Sequence, residues 1–366
     1  MKAYCDGNDL AEAVGKAIRA ISSKSNNPVL DNIRIEAGEG TLTLTATDNE
    51  LTIETGIVAD VRSGGVALVP GKLFSDFTRK LTGERIELDS TVSSLTLRYG
   101  DSESDFSCAD PEDYPELPVM AQAEHFTMSK KALKDLISKV AFSVRQDDVR
   151  PILKGVLFEV EEHTVTAVAL DGFRLAKCVK PVISATSALN AVIPGRCLNE
   201  LARMLDDSDD EVRVYVQPGR VRTDIGHTSI TSVLLEGDFV AYRNIIRTSF
   251  DTLVTVSVEQ LSDSLERAML LSRDDRSNPV KFDISERLLR ITSASGAGNL
   301  DEKLGVVTSG PDLSIAFNAK YFTELLRVCG VDSVIIKFNS PGDPCVVVPC
   351  GGEEDFLYLV LPVRII

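Results

Sequence analysis

VPGKLFSDFTRKL (residues 69–81), IPGRCLNELARML (193–205) and FNAKYFTELLRVC (317–329) are one helical segment written three times, with a spacing of 124 residues on both occasions. Upstream lies a second recurrence: Leu10, Leu133 and Leu261 each open a helical pattern, and each is followed 18 residues later by a proline, Pro28, Pro151 and Pro279. Solenoid units repeat every 20 to 50 residues or so, so copies this long can each hold a core of their own. The sequence reads as three similar tandem domains, 1–122, 123–250 and 251–366, with connectors near 122 and 250.

Within each copy the first helix carries apolar residues at i, i+4 and i+7: Leu10, Val14 and Ala17; Leu133, Ile137 and Val140; Leu261, Leu265 and Ala268. Each set makes one buried stripe. After the proline come alternating runs such as Thr41–Thr45, Val156–Val160 and Leu288–Ile291, the pattern of antiparallel strands with one wet face. The expected class is α+β, with helices on one face of antiparallel sheets. The second helices are expected to open on Pro70 and Pro194, tolerated in a first turn, and on Asn318 as an N-cap.

Composition narrows the function classes. With 43% hydrophobic residues in 366, every copy has material for a core. MKAYCDGNDL at the N-terminus lacks the apolar core of a signal peptide, and the longest strongly apolar stretch, FLYLVLPV (356–363), is too short to span a bilayer. A soluble, cytoplasmic chain is expected. The seven cysteines form no CxxC pair and are read as reduced, structural thiols.

Gly71-Lys72 resembles the end of a phosphate loop, yet Val66 stands where the first glycine must be and Leu73 where Ser or Thr should hold magnesium. Three histidines, His125, His163 and His227, lie far apart without ligand spacing. The acidic run Asp206–Glu211 lacks the glycine of a calcium loop and reads as a solvated turn. With no nucleophile, metal cluster or cofactor motif in view, the expectation is a non-catalytic chain with no cofactor and no metal.

A net charge of −16 and a pI near 4.8 argue against a nucleic-acid partner until the placement of the cations is considered. Lys72, Arg196 and Lys320 occupy equivalent positions, as do Arg79, Arg203 and Arg327; seven residues is close to two helical turns, so each pair shares a face. Lys16, Lys139 and Arg267 recur in the first helices. On one helix such residues would be ordinary solvated surface, but recurrence in three copies points to a polyanion. Tandem copies also leave an unpaired sheet edge at each end of the chain. A head-to-tail contact between two chains closes a ring if the rotation allows, helices inside, with DNA in a basic hole. The residues alone leave two alternatives open: a three-domain enzyme of unknown chemistry, and a monomeric adaptor.

Asn27-Pro28-Val29-Leu30-Asp31-Asn32 followed by LTLTATDNELTIE (42–54), DVRPILKGVLFEVE (148–161) with ALDGFRLA (169–176), and the ending YLVLPVRII (358–366) resemble the bacterial DNA polymerase III beta subunits, the sliding clamps. The resemblance covers the whole chain in order. It implies a DNA-clamp fold of three tandem domains with antiparallel sheets outside and helices lining a central hole. It also implies a head-to-tail homodimeric ring around duplex DNA, no catalysis, tethering of the replicative polymerase and other motif-bearing replication and repair proteins, and loading by an ATP-driven clamp loader.

The same resemblance places a peptide-docking pocket on Leu153, Leu170, Gly172, Phe173, Arg174, Leu175, Val240, Asn244, Ile245 and the tail Val360, Leu361, Pro362, Val363 and Arg364. It is read as an apolar concavity rimmed by Arg and backbone groups, with the terminal residues to Ile366 as one wall, a flexible tail that docks, and Leu175 and Ile245 opposite. Phe173 replaces the family's customary histidine, Val240 a proline and Asn244 a basic residue, and Ile366 extends the usual end. Phe106 and Cys108, the latter smaller than the usual leucine, match positions that meet Leu270 and Leu271 across the subunit junction. Lys24, Arg150 and Arg196 match regions that touch DNA, while Pro151 and Ile152 stand where aromatic side chains often do. Sliding implies phosphate contacts that carry no sequence information.

Overall fold

The computed structural model describes residues 1–22, 27–81, 83, 85–117, 119–120, 123–271, 279–351 and 355–364. Six helices occur among them: α1 (Gly7–Ala17), α2 (Gly71–Thr78), α3 (Lys130–Val140), α4 (Gly195–Met204), α5 (Val258–Leu271) and α6 (Ala319–Leu326). The stripes read from the sequence are the buried faces of α1, α3 and α5. Asp6 caps α1 by accepting from the amides of Asn8 and Asp9 at 2.8 and 3.3 Å.

Two details depart from expectation. Pro70 and Pro194 close the preceding strands, Gly65–Pro70 and Leu189–Pro194, and the helices begin on the glycines that follow. Those glycines are there for room. A Cβ on Gly71 would lie 2.5 Å from Ile21 Cδ1 and 3.0 Å from the Asp31 carbonyl, and one on Gly195 would lie 3.1 Å from the Lys154 carbonyl. Second, Pro28 and Pro151 start short 3-10 turns, Pro28–Asp31 and Pro151–Lys154, whereas Pro279 starts the strand Pro279–Ser285 directly. Asn318 caps α6 as expected, accepting from Lys320 N at 3.0 Å.

All strand pairs are antiparallel, and the chain divides into two compact units: Met1–Lys131 with Ile183–Thr186 and Arg196–Leu234, and Ala132–Val182 with Ser187–Gly195 and Leu235–Ile366. The division runs through the middle repeat. Each unit holds one nine-stranded sheet with a seam between consecutive repeats. In the first unit Leu51–Val58 pairs with Thr228–Val233, with Ser232 opposite Leu51 and Thr228 opposite Thr55. In the second, Arg174–Pro181 pairs with Phe356–Val360, with Val360 opposite Arg174 and Phe356 opposite Cys178. Leu51 and Arg174 hold equivalent places in their ladders, as do Ser232 and Val360, so the two seams share one register.

Each unit also has a smaller sheet that ends without a partner. Ser102–Ser107 is an edge of the five-stranded sheet in the first unit, and Gly298–Gly305 is an edge of the four-stranded sheet in the second. In the first unit α1 packs on the strands 41–47 and 51–58 and against α2, and in the second α5 packs against α6 and the strands 288–295 and 298–305.

Candidate functional site

The hairpin between Thr164–Leu170 and Arg174–Pro181 is shaped by one aspartate. Asp171 Oδ1 accepts from the amides of Phe173 and Arg174 at 2.8 and 3.1 Å, and Gly172 takes φ +98°, which an L side chain resists. The first repeat builds the same turn: Asp48 Oδ1 accepts from Glu50 and Leu51, and Asn49 takes φ 75°. The turn leaves Phe173 projecting, 56% exposed.

Beneath Phe173 lies an apolar floor. Leu153, Leu170 and Leu175 are buried in one cluster with Leu157, Val168, Val192, Tyr242, Val346, Val348 and Leu359; Ile152, Phe239, Val240 and Ile246 pack against it, half-buried. Leu175 is therefore floor and not an opposing wall. Of the connector residues, Val240 is half-buried, and Asn244 and Ile245 are exposed around a short turn, Tyr242–Asn244. On the far side the chain leaves Val360 and continues as Leu361, Pro362 and Val363, all half-buried, to the exposed Arg364. Leu361 N donates to the Phe173 carbonyl at 2.9 Å and Val363 N to the Ala316 carbonyl at 2.8 Å. The expectation of a flexible tail is corrected here, since two backbone hydrogen bonds pin it through residue 363. Ile365 and Ile366 lie outside the described residues.

Arg174 is also corrected. Instead of rimming the concavity it is 8% exposed and turned inward. Its Nε bonds Asp171 Oδ2 at 2.9 Å, one terminal nitrogen donates to the Phe142 carbonyl at 2.7 Å, and the other pairs with Glu324 and lies 3.4 Å from the Tyr358 hydroxyl. The guanidinium carbon sits 5.5 Å from the Phe142 ring centroid and 4.7 Å from that of Tyr321. Burial alone would lower its pKa, but the Tyr358 and Glu324 oxygens outweigh burial and raise it, so the charge is permanent. Arg174 joins the Phe173 turn to α6, which carries Lys320.

The cations expected to meet a polyanion sit on the helices, and most are already paired. Arg79 pairs with Asp76, Arg203 with Glu200 at 2.8 Å, Arg327 with Glu266 at 3.2 Å and Lys320 with Glu324 at 3.7 Å. Lys16, Lys139 and Arg267 are likewise held by Glu12, Asp135 and Glu302. Lys72 and Arg150 are exposed and have no ion pair among the described residues; Lys24 lies outside them. Arg196 is not free: its guanidinium pairs with Asp48 and donates to the Ala20 carbonyl at 3.0 Å. Exposed pairs of this kind are worth about 0–1 kcal/mol, so a phosphate can displace the carboxylate.

At the free edges, Phe106 is 4% exposed, edge-on to Phe74 and Phe77 at 5.2 and 5.1 Å between centroids. It is core of its own sheet first. Cys108 and Leu271 are half-buried, and Leu270 is 58% exposed. Sequence reasoning missed Leu73, also 58% exposed. Repeat spacing aligns it with Cys197 and Tyr321, and aligns Leu270 with Arg19 and Phe142. Phe142 and Tyr321 flank Arg174 at the second seam, so Leu270 and Leu73 are the same positions at the open ends. It also missed Tyr242, although Tyr114 recurs at the equivalent place in the preceding connector.

Among the described residues no group of His, Cys, Asp or Glu is arranged to hold a metal ion, and no helix is long and apolar enough to cross a membrane. The described cysteines are free, and most are buried.

Comparison with known proteins agrees over the full length. The DNA polymerase III beta subunit N-terminal, central and C-terminal domain families match residues 1–118, 127–240 and 243–364. A beta sliding clamp of Halalkalibacterium halodurans is 31% identical over 98% of both chains. The solved DNA polymerase sliding clamp of Bacillus subtilis superposes with a TM-score of 0.95 at 27% identity, covering 100% of both chains. The Pseudomonas aeruginosa sliding clamp solved with griselimycin gives 0.93 at 26%, again over 100% of both. With its repeats, its shared seams and this full-length likeness, the chain belongs to the DNA polymerase III beta subunit family of sliding clamps.

Proposed function

We propose that two copies of this chain close head to tail into a ring around duplex DNA and carry the replicative polymerase and other partners by short peptides seated against Phe173 and the tail. Family membership supplies the clamp role, a non-catalytic processivity factor acting with DNA and a polymerase. The observation that carries the ring is the repeated seam. It occurs twice in one register, and the strands that would make a third copy of it, Gly298–Gly305 and Ser102–Ser107, are unpaired edges. Continuing the register sets Gly298 opposite Phe106, Leu300 opposite Ser104 and Lys303 opposite Asp101 of the next copy, with Leu270 and Leu73 on the helix side.

The helix cations then face the duplex, gripping phosphates by exchange with their own carboxylates and reading no base. A clamp loader that opens the ring, and a cytoplasmic setting, follow from the same reading. Lys72→Glu with Lys320→Glu tests the hole while leaving the structural Arg196 alone. The double variant should remain dimeric and lose salt dependence of DNA retention, by roughly 0.9 in the log–log slope for each phosphate contact removed. An unchanged slope would make both residues ordinary solvated surface.

A further inference from the structure

Glu159, on the strand Gly155–Val160, is far in sequence from the connector that forms one side of the pocket, yet it binds that connector twice. Its Oε2 accepts from the Tyr242 hydroxyl at 2.5 Å and from an Arg243 terminal nitrogen at 2.7 Å, and its Oε1 accepts from the other Arg243 nitrogen at 3.0 Å. Arg243 closes the triangle, its guanidinium carbon 4.8 Å from the Tyr242 ring centroid. The Glu159 side chain is 17% exposed and Tyr242 is 2% exposed, so the hydroxyl–carboxylate bond is sheltered, while Arg243 lies over it at 66%. Charge-assisted bonds of this geometry are the strong ones.

Between Leu235, whose N donates to the Val192 carbonyl at 2.9 Å, and Arg247, which pairs with Asp343 at 2.8 Å, this triangle is, among the described residues, the connector's polar tie to the sheet. Tyr242 N donates to the Val240 carbonyl at 2.7 Å, Asn244 N to that of Ala241 at 3.1 Å and Ile245 N to that of Tyr242 at 3.0 Å. These bonds give the turn its shape without fixing it to the sheet. The fixing falls to the Tyr242 ring, sunk in the apolar floor, to the packing of Phe239, Val240 and Ile246 against that floor, and to Glu159. The preceding connector makes an informative contrast. Tyr114 occupies the equivalent position and is also buried, but its hydroxyl donates to the Thr45 backbone carbonyl at 3.4 Å. Only the connector beside the pocket is anchored through a carboxylate shared with a neighbouring arginine.

We propose that Glu159 is a positioning residue for the pocket. By holding Tyr242 and Arg243 together it keeps Val240, Asn244 and Ile245 in the one arrangement that receives a partner's apolar side chain. The proposal rests on the pocket reading above. It has a kinetic signature, because a wall that is in place only part of the time scales the apparent affinity by its competent fraction. That loss appears in association, since the bound complex makes the same contacts.

The test uses the full chain and a Gln-Leu-Ser-Leu-Phe peptide in stopped-flow binding. Glu159→Gln, nearly isosteric, should slow association about tenfold, with dissociation changed less than about twofold and the thermal midpoint nearly unchanged. Arg243→Met should give part of the same loss, and the double variant no more than Glu159→Gln alone, because both act through one triangle. Should Glu159→Gln fold poorly, Arg243→Met carries the test, its side chain being mostly exposed. Equal association rates, a loss confined to dissociation, or additive losses would each overturn the latch while leaving the pocket intact. Failure of the unmodified chain to bind the peptide would overturn the pocket reading and the latch with it.

Discussion

Removal of residues 361–366 is expected to abolish measurable binding of a Gln-Leu-Ser-Leu-Phe peptide without dissolving the dimer. Leu361, Pro362 and Val363 are half-buried beside the apolar floor and held by backbone bonds to Phe173 and Ala316. They present a standing wall, so little ordering cost falls on the protein when a ligand docks. Taking the wall away removes the partners of one buried leucine or phenylalanine, worth about 1.5–3 kcal/mol, or roughly 10- to 150-fold in affinity. For a single short motif whose binding is modest, that loss exceeds the range of calorimetry. The free edges, Ser102–Ser107 and Gly298–Gly305, are other segments, so light scattering should report an unchanged mass. Equal affinity in the intact and shortened chains would place partner binding elsewhere. Phe173, exposed and without a hydrogen-bonding group, should favour apolar motif residues, and Phe173→His should shift that preference towards polar ones.

The second large effect is at the junction between copies. Leu270→Ala with Leu271→Ala should give folded monomers at low micromolar concentration. Large-to-small changes at packed apolar sites cost about 2–5 kcal/mol each, and Leu270 is exposed in the single chain at a position whose repeat partner, Phe142, is occupied at the internal seam. The register adds a more specific arm. Lys303 and Asp101 are both exposed and without an ion pair among the described residues. Asp101→Lys and Lys303→Glu should each weaken the dimer, and the two together in one chain should restore it. Sedimentation of the leucine variant as a dimer, or absence of rescue by the charge exchange, would put the junction or its register elsewhere.

What could be read from the chain follows from what is local. The buried stripes of α1, α3 and α5 are set by spacing alone, and the Asp48 and Asp171 turns by an aspartate followed by Asn or Gly. Arg174 could not be read in this way. An arginine after an exposed phenylalanine looks like rim, and its burial depends on Phe142, Glu324 and Tyr358, which lie 32, 150 and 184 residues away. Arg196 is similar, since Asp48, 148 residues distant, claims it, whereas the Lys16–Glu12 pair is an i,i+4 contact visible in the sequence. The order of the tail is not legible in the sequence, because main-chain hydrogen bonds hold it and these leave no mark on residue type. Glu159 was invisible for the same reason as Arg174, its partners being 83 and 84 residues away.

Encirclement is a topological link, and retention on DNA measures it. Protein placed on nicked circular duplex by a clamp loader and separated from free protein by gel filtration should stay with the circle. After a restriction enzyme linearises that circle it should run off the ends, with little dependence on DNA sequence. Prompt loss from the closed circle, or equal retention before and after linearisation, would contradict encirclement.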